Sequence, residues 1–144
     1  MFSGQWAKLQ EQVFKAFGGH ERAPVPTPMD EMSDLKQLIE SGAFIKLDEE
    51  DRRNEACRIG RLGADNSALG MLAVKLLTKL LRDPDNIVRW DAAYGLIEIA
   101  RVSEPLKIEI FPVLQKVKRT DPDPELRAMV SIELNCFGRQ RPAP

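Results

Sequence analysis

Along most of this chain apolar residues return every three or four positions, and almost nowhere every second one. That period belongs to helices that bury one stripe. The first instance is Trp6, Leu9, Val13 and Phe17, with Phe2 one turn earlier and Gly18 and Gly19 closing the segment, which predicts an amphipathic helix over residues 1–19. In "HERAPVPTPMDEM" the prolines at 24, 26 and 28 forbid a helix over those positions, so residues 20–32 read as an extended linker. From Ser33 onward helix follows helix. Ser33 is placed to cap "DLKQLIES", and Asp48 to cap "EEDRRNEACRIGRLG", whose first turn is acidic. "AFIKL", Ala43 to Leu47, is the one stretch with strand-like alternation and reads as a connector between helices. Residues 139–144 are left as a tail.

The same turn is written twice. "RDPDNIVRWDAAYGL", Arg82 to Leu96, has a cousin in "TDPDPELRAMVSIEL", 38 positions later. Asp85 and Asp123 stand where an N-cap belongs, and Pro124 sits at a first helical position, where its missing N–H costs nothing. The preceding helices match at an offset of 37, "LLTKL" at Leu76 to Leu80 against "VLQKV" at Val113 to Val117. A more worn copy lies upstream, where Arg52, Ala56, Ile59 and Leu62 fall on Arg89, Ala93, Leu96 and Ile99. Gly63, Ala100 and Gly138 are read as the small residues that close the three copies. A helical hairpin repeated about three times is the least that buries the face each copy exposes alone. Ala56, Ala92, Ala93, Gly95 and Ala100 allow close helix approach, while Leu77, Leu80, Leu96, Leu114 and Val117 supply core volume.

On these residues the chain resembles the HEAT repeat family over roughly residues 33–138. "RRNEACRIGRLG" and "LLTKLLRDPDNIVRWDAAYGL" are similar to bilin-lyase-type HEAT-like repeats, and "FPVLQKVKRTDPDPELRAMVSIEL", with Pro112 inside a helix, to the general HEAT pattern. The resemblance implies an all-α fold: a short α-solenoid of about three HEAT-like hairpins, here preceded by the N-terminal amphipathic helix. It also implies a ladder in which the turn aspartate of one repeat pairs with the helix arginine of a neighbour, with Asp83 and Asp121 meeting Arg89 and Arg127. The first copy has "GAFIKLDEED" in place of the Asp-Pro-Asp turn, so no rung is expected there. A further implication is a concave binding face lined by the second helix of each pair.

On the middle such helix Trp90 and Tyr94 are four apart and so share a face. Matching positions carry Arg53, Cys57 and Arg61 in the first copy and Ala128, Ile132 and Cys136 in the third, a groove expected to be basic at one end, aromatic in the middle and apolar at the other. The two aromatics either anchor a partner or pack against neighbouring repeats. Phe2 and Trp6, with the rest of the N-terminal stripe, carry too much apolar surface to stay wet. That stripe caps its own repeats, docks on a partner or a second copy, or lies on a membrane; Lys8 and Lys15 against Glu11 make a weak case for anionic lipid.

Composition narrows the function. With 43% hydrophobic and 30% charged residues over 144 positions, one globular core is expected without disulfide or metal staples. The net charge of -1 argues against wholesale nucleic-acid binding. Cys57 and Cys136 belong to no Cys-x-x-Cys pair and read as buried free thiols in a reducing, cytoplasmic setting. The start has no continuous apolar run of the signal-peptide kind, and no stretch is long enough to span a bilayer.

Catalytic motifs are missing from the reading. The single histidine, His20, lies in the linker, no phosphate loop or nucleophile elbow is written, and Glu49, Glu50 and Asp51 are explained by the helix dipole. Trp90, Asp91 and Arg53 superficially resemble the concave residues of HEAT-like DNA glycosylases, but adjacent residues do not share one helix face. The expectation is therefore a non-enzymatic module without cofactor or metal that binds another protein or peptide, with self-association through the N-terminal helix a further option. The contact residues named for it are Trp90, Tyr94, Arg53, Arg61 and Ile132, with Phe2 and Trp6. The alternative is an accessory factor for a cofactor-modifying, bilin-lyase-like enzyme or a nucleic-acid enzyme.

Overall fold

The computed structural model describes residues 25–139 together with Gln5, Lys8, Leu9 and Gln12. Among the described residues the fold is all helical, without a strand. Six long helices follow one another: α1 (Pro28–Glu40), α2 (Glu49–Asp65), α3 (Gly70–Leu80), α4 (Asn86–Val102), α5 (Glu104–Thr120) and α6 (Pro124–Arg139). Each packs on its successor in the chain. Contacts also run from α1 to α3 to α5, and from α2 to α4 to α6, so the helices lie in two layers with neighbours in chain order. Leu76, Leu77, Leu96, Ile97, Ile99, Leu114 and Leu126 fill the space between the layers at 1% exposure or less. Each contributes roughly 1.5–3 kcal/mol by leaving water. No helix among the described residues is long and apolar enough to cross a membrane.

Helix boundaries follow local chemistry. Helix α1 starts five residues before Ser33. Thr27 is its N-cap: its hydroxyl accepts from Asp30 N at 3.2 Å, and Asp30 Oδ2 accepts from Thr27 N at 3.0 Å. This reciprocal capping box recruits Pro28 as N1, so the last of the three prolines begins a helix and does not extend the linker. Ser33 is an exposed residue inside α1. The helix ends at Ser41, followed by Gly42 at φ 82°, a left-handed position suited to glycine. "AFIKL" is indeed a connector, with a 3₁₀ turn at Phe44–Lys46. Asp48 caps α2 through Asp51 N at 2.8 Å, and Asp85 caps α4 through Ile87 N and Val88 N. Asp123 Oδ1 accepts from Glu125 N at 3.0 Å as α6 begins. Pro112 sits inside α5, exposed on its outer side.

Gly63 and Ala100 do not close their helices. Both are buried, and α2 and α4 run on to Asp65 and Val102. A Cβ at Gly63 would fall 2.4 Å from Ala73 Cβ and 2.9 Å from Ile99 Cδ1, so its small size serves interhelical packing. Asn66 ends α2 instead, its side-chain and backbone N–H groups both donating to the Leu62 carbonyl.

Turn aspartates do pair with helix arginines of the neighbouring copy, but Asp83 is taken by Arg52 and Asp121 by Arg89. Arg89 meets Asp121 of the next turn, Nε to Oδ2 at 3.1 Å and Nη2 to Oδ1 at 3.4 Å. Arg52 meets Asp83 with the same two atoms at the same two distances. The first copy therefore does carry a rung, because the rung needs its helix arginine and the following turn, not its own turn. Each guanidinium also ties down carbonyls of its own connector: Arg52 donates to Leu47 O at 2.6 Å, and Arg89 to Asp83 O at 2.9 Å and Pro84 O at 3.2 Å. The aspartates in turn accept backbone N–H groups, Asp85 N on Asp83 and Asp123 N on Asp121, both at 2.9 Å. Arg127 donates to the Asp121 carbonyl in the same way.

Between α1 and α2 lies a charged cluster. Glu55 is 2% exposed, and burial pushes its carboxyl up from 4.5 to about 7; Arg58, 3.9 Å away, opposes this while Asp51 and Glu31 add to it. Leu9 and Lys8 share a shallow depression with Asp34 and Leu38 of α1. Leu9 is 42% exposed, and Phe2, Trp6, Val13, Phe17 and His20 lie outside the described residues, as does the tail beyond Arg139.

Two outcomes follow for stability. Arg89→Ala strands the buried Asp121 carboxylate and is expected to cost about 3 kcal/mol in chemical denaturation, against less than about 1 kcal/mol for the exposed Arg53→Ala. For Glu55, the folded state holds a proton that the unfolded chain has already released between pH 4.5 and about 7. Its contribution to stability is thus present below about pH 4.5 and is lost as pH rises through about 7. Glu55→Gln is expected to raise stability at pH 8 by about 2 kcal/mol and to change little at pH 4, as read from melting curves across that range.

Candidate partner-binding groove

On the outer side of the second layer, α2 and α4 enclose a groove. Along α2 it is lined by Arg53, Cys57, Gly60, Arg61 and Ala64, and along α4 by Asp91, Tyr94, Gly95 and Glu98. These spacings of three, four and seven put each set on one helix face. Two depressions of about 550 and 270 Å³ join at Cys57 and Asp91, which border both. The first is bounded by the start of α2, at Asp48, Glu49 and Glu50.

The floor is made by two glycines. A Cβ on Gly60 would fall 2.8 Å from Gly95 Cα, and one on Gly95 would fall 3.2 Å from Gly60 Cα and 3.0 Å from Leu77 Cδ1. The two backbones touch where the helices cross, which leaves an open channel above a surface without side chains.

One ion pair crosses the groove, and a second set of polar contacts lies past its far end. Arg53 Nε donates to Asp91 Oδ2 at 3.0 Å, and the hydrogen bond and charge of Asp91 raise the Arg53 pKa. Cys57 lies beside this pair; loss of hydration between the groove walls, and then the Asp91 carboxylate, push its thiol up, so it is a protonated thiol and a poor nucleophile at neutral pH. Arg101 lies 5.9 Å from the centre of the Tyr94 ring and bonds Glu133 at 2.7 Å and Glu98 at 3.4 Å. Tyr94 keeps 43% of its surface exposed.

Several expectations change here. Trp90 and Tyr94 do not share the groove: Tyr94 lines it, while Trp90 is half-buried against the apolar core. Four residues advance a helix by about 40° beyond a full turn, enough to carry the first aromatic inward while the second stays out. Arg53 and Arg61 line the groove, but that end is not basic, because Asp48, Glu49, Glu50 and Asp91 outnumber them. Ile132 lies beyond the groove on α6, 62% exposed, with Ala128 and Cys136 also exposed along that helix. The thiols Cys57 and Cys136 are free, and both are exposed and not buried, since each falls on the outer face of its helix. Phe2 and Trp6 lie outside the described residues.

Asp91, Glu98 and Gly60 are groove residues that the sequence reading did not name as contacts. Asp91, Tyr94 and Glu98 keep the spacing of one helix face in the sequence, whereas Trp90 belongs to a neighbouring one. Among the described residues no group of three or more His, Cys, Asp or Glu is arranged to hold a metal ion. The chain matches no protein-family model, no curated protein and no solved structure with which it was compared.

The glycine crossing can be probed directly. Gly60→Ala places a methyl group against helix backbone and is expected to lose about 1–3 kcal/mol despite its better helix propensity. Gly138→Ala meets nothing within 4 Å and is expected to be neutral or to gain up to about 1 kcal/mol. Thermal unfolding of the two variants side by side checks the contrast.

Proposed function

We propose that this chain is a short α-solenoid of HEAT-like helical hairpins that serves as a non-enzymatic protein-binding module, docking its partner in the groove between α2 and α4. The solenoid reading is supported by contacts that run in chain order within each layer and by rungs that recur at nearly the same interval, Arg52 to Asp83 and Arg89 to Asp121. Stacking of this kind leaves one helix of each pair free to line a shared surface.

The observation that carries the functional reading is Tyr94: a large aromatic, 43% exposed, standing beside a floor built from Gly60 and Gly95. Exposed aromatics over small-residue clefts are the usual anchors of protein interfaces. A protonated Cys57 beside an Arg53–Asp91 ion pair is better suited to contact than to nucleophilic chemistry. Two free, exposed thiols favour a reducing compartment such as the cytoplasm.

The chain used as bait in a pull-down from native lysate tests this reading when compared with two variants. Tyr94→Ala is expected to lose the co-eluting protein, with affinity falling by about 2 kcal/mol and the melting temperature unchanged. Ile108→Ala removes a large apolar side chain that is 77% exposed on α5, away from the groove, and is expected to retain the partner. Equal retention by both variants contradicts the assignment of the groove.

A further inference from the structure

Resting on that reading, we propose that the groove recognises a basic peptide segment of the partner, with lysine or arginine side chains laid along its floor. Six carboxylates, of Asp48, Glu49, Glu50, Asp65, Asp91 and Glu98, border it against two guanidiniums, of Arg53 and Arg61. Arg53 and Asp91 neutralise each other at 3.0 Å, which leaves Asp48, Glu49, Glu50, Asp65 and Glu98 against Arg61. Arg101, past the far end, is committed to Glu133 and Glu98. The surplus around the channel is therefore negative, although the chain as a whole carries only -1.

The basic residues of α3, Lys75 and Lys79, and of the last turns of α5, Lys116, Lys118 and Arg119, do not line this rim. A groove walled by low-dielectric protein focuses the field of its rim and raises the local concentration of cationic ligands. An acidic peptide or a phosphate backbone meets repulsion at the same rim.

The shape selects for the same chemistry. Gly60, Gly95, Ala64 and Cys57 offer a shallow, mostly apolar floor, wide enough for the methylene stem of a lysine or arginine but without a deep socket for a ring. Tyr94 stands between Asp91 and Glu98, three residues before it and four after, but Arg101 already faces its ring and Arg53 holds Asp91, so the incoming cationic heads are met by Asp48, Glu49, Glu50 and Asp65 while their stems pack beside the ring. Arg101 shows the affinity of that ring for a guanidinium from within the chain, at 5.9 Å.

Selection from a random peptide library on the intact chain tests the proposal, in parallel with an Asp65→Lys, Glu98→Lys double variant of matched melting temperature. The expected result is enrichment of Lys- and Arg-bearing peptides on the parent chain. Their binding should weaken at least about tenfold between low salt and about 0.3 M salt, and again about tenfold on the double variant. Enrichment of acidic or uncharged peptides whose binding is lost in Tyr94→Ala overturns the basic specificity and leaves the groove as the docking surface. Basic peptides that bind the parent and the double variant equally overturn it too, since their site is elsewhere. No enrichment at all also overturns it, and the groove reading then rests on the Tyr94→Ala pull-down alone.

Discussion

The contact on which the rest of this molecule depends is the meeting of Gly60 and Gly95, where α2 and α4 cross with no side chain between them. Glycine inside a helix costs about 1 kcal/mol relative to alanine, so two of them need a compensating gain. The gain is proximity. With the backbones touching, the flanking side chains of both helices, Ala56 and Ile59 on one and Ala92, Leu96 and Ile99 on the other, reach full burial. The channel lies on the solvent side of this close crossing, between the flanking residues Cys57, Arg61 and Ala64 of α2 and Asp91, Tyr94 and Glu98 of α4. Core packing and groove are two sides of one geometric choice.

The arginine ladder solves a different problem at the other end of the helices. Connectors between antiparallel helices expose carbonyls with no partner of their own, and burying them unpaired is costly. A planar guanidinium presents donors in several directions, so Arg52 and Arg89 each satisfy a connector carbonyl while gripping the carboxylate of the following turn. The Asp-Pro-Asp turn is written twice because each of its aspartates has a separate duty. The first receives the guanidinium and the second caps the helix that follows.

Periodicity and repetition made the helical layout legible. The caps at Asp48 and Asp85, the helical start at Pro124, the connector at Phe44 and the core leucines all follow from short-range rules that the residues obey on their own. What escaped depends on partners distant in sequence. Pro28 looked like linker until Thr27 and Asp30 were seen to bond each other. Gly63 resembled a helix terminator, and only the approach of Ala73 and Ile99 shows it to be a packing residue. Arg53 and Arg61 suggested a basic patch because the carboxylates that oppose them come from another helix and from the start of α2. Trp90 drew attention by size, yet a rotation of about 40° along the helix separates it from the open face that Tyr94 occupies.

The most direct test of this account is a nuclear Overhauser spectrum of the isotopically labelled chain, read at the α protons of Gly60 and Gly95. Backbone contact at the crossing predicts a strong cross-peak between them, alongside weaker ones from Gly95 to the Leu77 methyls. Assigned resonances for both glycines with no cross-peak between them would contradict it, and the groove built on that crossing would have to be abandoned.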